Sequence, residues 1–290
     1  MTTQPLVRLV TAAHLPHLVV DDQELFHELR RRDVPVEVAV WDDPDVDWSL
    51  APVTVIRSVF DYHLRRDEFI SWLDRVELLT AVSNAPEIIR WNSHKSYLKR
   101  VAEAGFPTIE TEWLEQGQDV DLAAILERRG WAGKPAVVKP AVSASAYQTL
   151  RVEPNDVAAG QEHAVRLLKD GDALVQSYLH DFDTVGETAL IWLGDRQTHA
   201  VWRPSGISST LEEAHVGRQL QPAADELELA HAAHAWILPR PLYARIDLIR
   251  TEEHGLLVLE LELVEPALYL RHSRDYTAAF ADAVIAEIPR

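Results

Sequence analysis

The 290-residue chain contains no cysteine, which excludes disulfides, thiolate-bound metals and cysteine nucleophiles. Basic residues are scarce: 28 Lys and Arg stand against 46 Asp and Glu, for a formal charge of −18. No basic run interrupts this balance, so neither a nucleic acid nor an anionic membrane surface is an expected partner. A nucleoside triphosphate remains compatible, because a few local cations and a metal ion reverse the field inside one cleft. No apolar run reaches the length of about 18 residues that a membrane span needs. Residues 1–20 lack the basic segment and long apolar core of a signal peptide. A cytoplasmic protein is therefore expected. Internal repeats and low-complexity segments are absent too. The composition, 47% hydrophobic and 26% charged, is that of a globular chain, and its length fits one large domain or two ordinary ones.

The first 90 residues alternate strand and helix signals. Strands are predicted at 6–12, 34–41, 53–59 and 78–82. Helices are predicted at 21–32, with Leu25, Phe26 and Leu29 on one face, and at 67–76, with Phe69, Ile70 and Leu73. This rhythm predicts a mostly parallel sheet with helices on its faces. A helix opens at 93, turns Tyr97, Leu98 and Val101 inward and ends at Gly105. An extended piece follows from Pro107, then a helix at 122–129, a short strand at 136–139 stopped by Pro140, a helix at 156–169 and a strand at 173–177. Two longer strands, 187–193 and 197–203, meet at a Gly194–Asp195 turn. The polar segment 205–223 reads as a mobile loop, with a helix at 227–237 beyond it. A hairpin of strands 242–250 and 256–264 and a helix at 276–287 complete the chain.

That last hairpin carries three carboxylates. Side chains alternate along a strand, so Glu260 and Glu262 share a face while Leu259, Leu261 and Leu263 turn into the core. The neighbouring strand can present Asp247 to the same face. Three crowded carboxylates repel unless a cation lies between them, and Mg²⁺ suits hard oxygen ligands. A strand that is merely polar on its solvent side fits the same pattern. Lys139, at the end of an apolar strand, suits a phosphate as a point charge. The small, hydroxyl-rich stretch after it contains Ser143 and Ser145 and has no glycine. Its backbone N–H groups can cradle phosphates, though a plain surface loop reads the same way. Lys95 alone reads as a solvated helix-end lysine. The strand that runs through Gln176 and Ser177 into Tyr178 and Leu179 offers backbone groups to an adenine edge, as many strands do. The thirteen histidines form no convincing pair, and neither serine has a visible triad.

In order, Trp91, Asn92, Lys95 and Tyr97; Gly105 and Pro107; Lys139 and Pro140; Gln176 to Leu179; Gly186 and Glu187; Tyr243, Arg245 and Asp247; and Glu260, Glu262, Glu265 and Pro266 resemble the ATP-grasp superfamily. The series is most similar to the glutathione-synthetase-like branch, within it to small cyclo-ligases of the D-cycloserine-forming kind. Trp41, Asp42, Asp43 and Trp48, with Arg57, Ser58, Asp61 and Tyr62, support that branch. The resemblance covers nearly the whole chain. It implies an α/β protein with an N-terminal parallel-sheet domain (1–92) and an ATP-grasp domain (93–290). Two α+β lobes, 93–178 with a lid and 179–290 with a metal site, would clasp ATP.

The same resemblance implies roles. Lys95 and Lys139 contact ATP phosphates, with Ser143 and Ser145 in the phosphate loop. Gln176, Ser177, Tyr178 and Leu179 line the adenine, and Glu187 holds the ribose hydroxyls. Asp247, Glu260 and Glu262 hold Mg²⁺ (or Mn²⁺), Glu262 standing where many relatives have Asn, and Arg245 sits beside the transferred phosphate. Ala144 and Ala146 stand where glycine is usual, and contacts at 205–220 do not carry over. Arg203, at a strand end, is the candidate for the substrate carboxylate; a structural ion pair explains it equally. The expected activity is ATP-dependent activation of a small amino-acid carboxylate, followed by amine attack within the same molecule. An intermolecular ligase and a nucleotide-binding regulator without turnover are the alternatives. The sequence leaves the amine donor, the stereochemistry and the oligomeric state open, and a homo-oligomer is compatible with it.

Overall fold

The computed structural model describes residues 4–204 and 217–289. Strands β1 (Val7–Thr11), β2 (Val36–Val40), β3 (Val53–Ser58) and β4 (Ala81–Ser83) form a wholly parallel sheet in the order β2-β1-β3-β4. Both faces are covered, so most positions of these strands are apolar, with Arg8, Thr54, Arg57 and Ser58 buried among them. Val7, Leu9, Val53 and Val55 pack with Leu25 and Leu29 of the first helix (Val20–Arg31). Val10 and Ile56 pack on the other side with Phe69, Trp72 and Leu73 of the helix Arg66–Val76. The strand expected at 78–82 begins only at Ala81, where pairing with Val53 starts. Leu78 and Leu79 lie in the preceding turn, 82% and 52% exposed, without a neighbouring strand to cover them. A short helix at Pro86–Asn92 was not expected from periodicity; Pro86 opens it.

A second sheet, β5 (Thr111–Leu114), β6 (Ala136–Pro140), β7 (Leu150–Val152) and β8 (Ala173–Ser177), is antiparallel in the order β5-β8-β6-β7. Helices Leu122–Arg128 and Val157–Asp170 cover one face of it through Ile125, Leu126, Leu167 and Leu168. β6 ends at Pro140, one residue beyond the expected bound. Pro140 pairs with Ala173, a position that leaves its missing N–H without consequence.

The third sheet contains β9 (Glu187–Leu193), β10 (Arg196–Arg203), β11 (Arg218–Leu220), β12 (Tyr243–Thr251) and β13 (Gly255–Glu262), in the order β11-β10-β9-β12-β13. Gly194, at φ 61°, makes the tight β9–β10 turn. β11 replaces part of the loop expected at 205–223, and residues 205–216 lie outside the described residues. Leu190, Trp192, Ala244, Ile246 and Leu248 face the helix Ala224–Trp236. Ala189, Ile191 and Tyr243 face the other way, in one core with the first sheet and with Phe280 and Val284 of the last helix, Arg274–Ala286.

Two buried amides stitch the first and third sheets together. Asn84 Nδ2 donates to the carbonyls of Tyr243 (2.9 Å) and Leu263 (2.7 Å), and its Oδ1 accepts from Tyr243 N. Asn92 does the same for Leu261 and Leu263. Truncating Asn84 to Ala leaves buried backbone groups without partners, at about 1–3 kcal/mol for each one that water cannot reach. Urea denaturation should show Asn84→Ala less stable by about 3 kcal/mol at an unchanged slope.

Candidate active site

A cleft of about 250 Å³ lies between the second and third sheets. β6 contributes Lys139, β8 contributes Gln176 and Ser177, and Tyr178 follows it. The loop at 141–149 supplies Ser143 and Ser145, and the turn before the helix Tyr97–Glu103 supplies Lys95. From the third sheet come Glu187, Arg203, Arg245, Asp247, Glu260 and Glu262. All but one of the residues given a catalytic, nucleotide, metal or substrate role from the sequence therefore line one cavity. The exception is Leu179, whose side chain is buried with Ile249, Leu257 and Leu259. Leu259 joins that cluster because of a bulge: Asp247 faces Glu260 and Leu248 faces Val258, so Leu259 is the extra residue. Its side chain lines the cleft rather than entering the core beside Leu261 and Leu263.

The register sets Arg245 opposite Glu262 and Asp247 opposite Glu260. One oxygen from each of Asp247, Glu260 and Glu262 lies within 4.8 Å of the others. The crowding is relieved in part by the protein's own cations. Arg245 Nε donates to Asp247 Oδ1 at 2.9 Å, and its Nη2 reaches Glu262. Arg203 Nη1 lies 3.1 Å from Asp247 and 3.4 Å from Glu187. Lys95 Nζ donates to Glu260 at 2.5 Å. Asp247 is only 2% exposed, so a merely solvated polar strand does not describe this face.

Burial raises Glu260, but Lys95 and Lys139 more than offset it and hold its carboxyl well below the ordinary value. Glu262 shifts the other way: burial raises it, and Arg245 does not compensate. Burial also pushes Glu187 up to about 7, against the pull of Arg203. Asp247 and Glu260 add to both rises, so the arginines relieve the crowding of the carboxylates only in part. Three hard oxygen donors in such a field fit a divalent cation of the Mg²⁺ kind, which takes few protein carboxylates and leaves its other positions to water and phosphate. Each carboxylate oxygen has a second lone pair for the purpose.

The two lysines differ. Burial opposes the charge of Lys95, yet Glu260 outweighs it and keeps the ammonium above the ordinary lysine value. Lys139 makes no hydrogen bond or ion pair among the described residues. Burial, then the nearby Lys95, lowers it to about 8. It shares a strand face with Val137, which also lines the cleft. Gln176 spends its side-chain amide on Thr111 Oγ1 at 2.8 Å. Tyr178 donates its hydroxyl to Asp183 at 2.5 Å and carries Arg151 on its ring.

In the loop, Ser145, Ala146 and Gln148 have φ of 48°, 55° and 52°. Ala146 thus occupies the conformation that favours glycine, whereas Ala144 does not. Holding L-residues there costs on the order of 1–2 kcal/mol each, so the neighbours must hold the loop in shape. His163 is 2.7 Å from the Gln148 carbonyl, and the Tyr147 ring lies 5.1 Å from that of His63. The strained loop is only loosely covered, with Tyr147 42% exposed. ATP should therefore slow limited proteolysis within 142–149. Tight nucleotide binding with unchanged cleavage there would dismiss the lid.

Among the cleft-lining residues that carried no site role from the sequence are Phe60, Tyr62 and Glu265. Tyr62 and Glu265 stand in the motifs quoted above, and only the meeting of the first and third sheets brings them to the cavity. Contacts sought in 205–216 lie outside the described residues. At their edge, Gly217 approaches Val201 so closely that a Cβ would lie 2.1 Å from its side chain. No helix among the described residues is long and apolar enough to cross a membrane.

Residues 7–84 match the family described as the N-terminal domain of the D-cycloserine synthetase DcsG. The chain is 31% identical to the cycloserine biosynthesis protein DcsG of Streptomyces lavendulae, over 96% of its own length and 97% of that protein's. A crystal structure of D-cycloserine synthetase DcsG superposes with a TM-score of 0.88 at 28% identity, covering 98% of this chain and 99% of that one. The ATP complex of D-alanine–D-alanine ligase from Bacillus anthracis superposes with a TM-score of 0.67 at 14% identity, covering 97% and 94%, which shows a shared fold. The three-sheet architecture is the ATP-grasp fold, and the chain belongs to the DcsG family of ATP-grasp ligases.

Proposed function

We propose that this ligase phosphorylates the carboxylate of a small amino acid with ATP and closes a ring through a nitrogen of the same molecule, as in the conversion of O-ureido-D-serine to D-cycloserine for antibiotic biosynthesis. The observation that carries the reading is a single cleft holding Asp247, Glu260 and Glu262 beside Lys139 and Arg245. Likeness to a D-cycloserine synthetase supplies the substrate class. A carboxylate does not acylate an amine at neutral pH, because oxide is a poor leaving group. A substrate carboxylate oxygen attacks the γ-phosphorus, the bond to the β–γ bridging oxygen breaks, and ADP leaves. The nitrogen then attacks the acyl carbon, the carbon–oxygen bond to phosphate breaks, and phosphate departs as the nitrogen loses a proton. With O-ureido-D-serine, the balance also requires hydrolytic loss of the carbamoyl group from that nitrogen.

In this reading Lys95 and Lys139 hold ATP phosphates, and Arg245 stands beside the phosphoryl group in transit. Ser143 and Ser145 contact phosphate from the loop. Gln176 to Leu179 meet the adenine through backbone groups, Glu187 accepts from the ribose hydroxyls, and Arg203 clamps the substrate carboxylate. Asp247, Glu260 and Glu262 would hold Mg²⁺ (Mn²⁺ suits the same oxygens), which supplies Lewis-acid neutralisation of phosphate charge when bound. The loop over the cleft excludes water, against which an acyl phosphate is unstable. One molecule held at both ends supplies proximity for ring closure. The three sheets support a division into 1–92, 93–178 and 179–290, with the last helix returning to cover the first sheet.

The test is ADP release across single amino acids and amino-acid pairs, O-ureido-D-serine included. Turnover with one substrate alone supports cyclisation. An obligate pair points to an intermolecular ligase, and nucleotide binding without turnover to a regulator.

A further inference from the structure

Five carboxylates line the cleft, and four are already engaged. Asp247 is held by Arg245 and Arg203, Glu262 by Arg245, Glu260 by Lys95, and Glu187 by Arg203. The fifth, Glu265, makes no hydrogen bond or ion pair among the described residues. Its backbone is nonetheless held on both sides. The Val264 carbonyl lies 2.8 Å from the Tyr243 hydroxyl. The Pro266 carbonyl accepts from Arg57 Nη2 at 2.6 Å, and Arg57 is itself fixed by the buried Asp22 at 2.9 Å. A rigidly placed acceptor without a partner is a binding group awaiting its donor.

Its position says which donor. Glu265 follows Glu262 by three residues, so the two backbones are at most about 10 Å apart. Beside it, Phe60 and Tyr62 of the first sheet's side of the molecule close the cleft, while adenine-side residues Gln176 to Tyr178 come from the second sheet. Tyr62 and Glu265 line the same cleft, and burial, then the Glu265 charge, raises the Tyr62 phenol. An amino acid whose carboxylate is being phosphorylated near Glu262 carries its α-ammonium one carbon away. That cation must be desolvated in the cleft, and a buried ammonium needs a paired carboxylate.

We infer that Glu265 is the specificity residue that receives the α-ammonium of the amino-acid substrate, with Tyr62 as its neighbour. The inference rests on the ligase reading above and goes beyond it by assigning the amine subsite. Burial and Glu262 push the free carboxyl up to about 8, an enclosure that a bound ammonium would relieve. Such a pairing selects against N-blocked amino acids, which leave Glu265 facing an amide.

The experiment measures binding of O-ureido-D-serine and of its N-acetyl derivative by calorimetry, with saturating Mg²⁺ and a non-hydrolysable ATP analogue. Wild-type protein should prefer the free amine by about 30-fold or more, the scale of a charge-assisted hydrogen bond. Glu265→Gln should lose most of that preference, and Glu265→Asp should keep part of it. Both variants should bind the nucleotide analogue as wild type does, which certifies their fold and is a readout that a merely structural role would disturb. An unchanged preference in Glu265→Gln overturns the assignment, and so does wild-type protein that binds neither amino-acid probe. Parallel ADP-release assays separate the two ideas. Selective, Glu265-dependent binding without turnover overturns the ligase reading and leaves the subsite standing.

Discussion

Replacing Glu260 by Gln should lower turnover about a thousandfold while the protein stays folded. Glu260 faces Asp247 across β12 and β13 and is the partner of Lys95, so one carboxylate serves two positioning tasks. The amide is nearly isosteric and keeps one oxygen, so packing around the partly exposed side chain is preserved. It removes a charge that, in the proposed reading, draws a divalent ion to this end of the cleft, and it frees Lys95 from its anchor. Loss of both corresponds to roughly 4 kcal/mol of barrier, the thousandfold stated. Steady-state ADP release at increasing Mg²⁺ is the measurement. The variant should need more metal and should remain slow at saturation. A folded variant with more than half of wild-type activity at ordinary Mg²⁺ would remove Glu260 from the metal site.

Glu260 and Asp247 are legible in the sequence because strands alternate and a hairpin brings two such faces together. Residue type and spacing put them on one face, and the resemblance to the ATP-grasp superfamily adds the metal reading. Periodicity also places β1 to β3 and the helices at 20–31 and 66–76 to within a residue or two. It fails where the outcome depends on neighbours far along the chain. Leu78 and Leu79 are apolar but lie beyond the end of the β3 edge. Leu259 changes sides because of a bulge that alternation cannot foresee. The pairing of Arg203 with Asp247 and Glu187 spans three strands, so the sequence names Arg203 but not its partners. Glu265 is visible in the sequence only as part of a motif. That no arginine of the cleft pairs with it is a fact of three dimensions.

Lys139 should govern phosphoryl transfer more than nucleotide docking. The ammonium stands on a sheet strand, and Pro140 continues that strand in register with Ala173, so its base is rigid. A fixed cation that has no protein partner among the described residues is preorganised for charge that appears only as the γ-phosphoryl moves. Lys139→Ala should therefore lower kcat by about a hundredfold to a thousandfold, or about 3–4 kcal/mol, and raise the KM for ATP by less. Lys139→Arg should rescue only in part, since a planar guanidinium is larger than an ammonium. The cleft adds a pH signature. Burial and Lys95 lower Lys139 to about 8 in the free enzyme. The charged form is present below that value and is lost as pH rises through it. In wild type kcat/KM for ATP should fall on the alkaline side near pH 8, and this limb should be missing in Lys139→Ala. Bound phosphates favour the ammonium, so the corresponding limb in kcat should move to higher pH. Kinetics of both variants against pH, with circular dichroism to confirm folding, settle the matter. A change in KM alone, at normal kcat, would mean that Lys139 holds ground-state ATP and does nothing further.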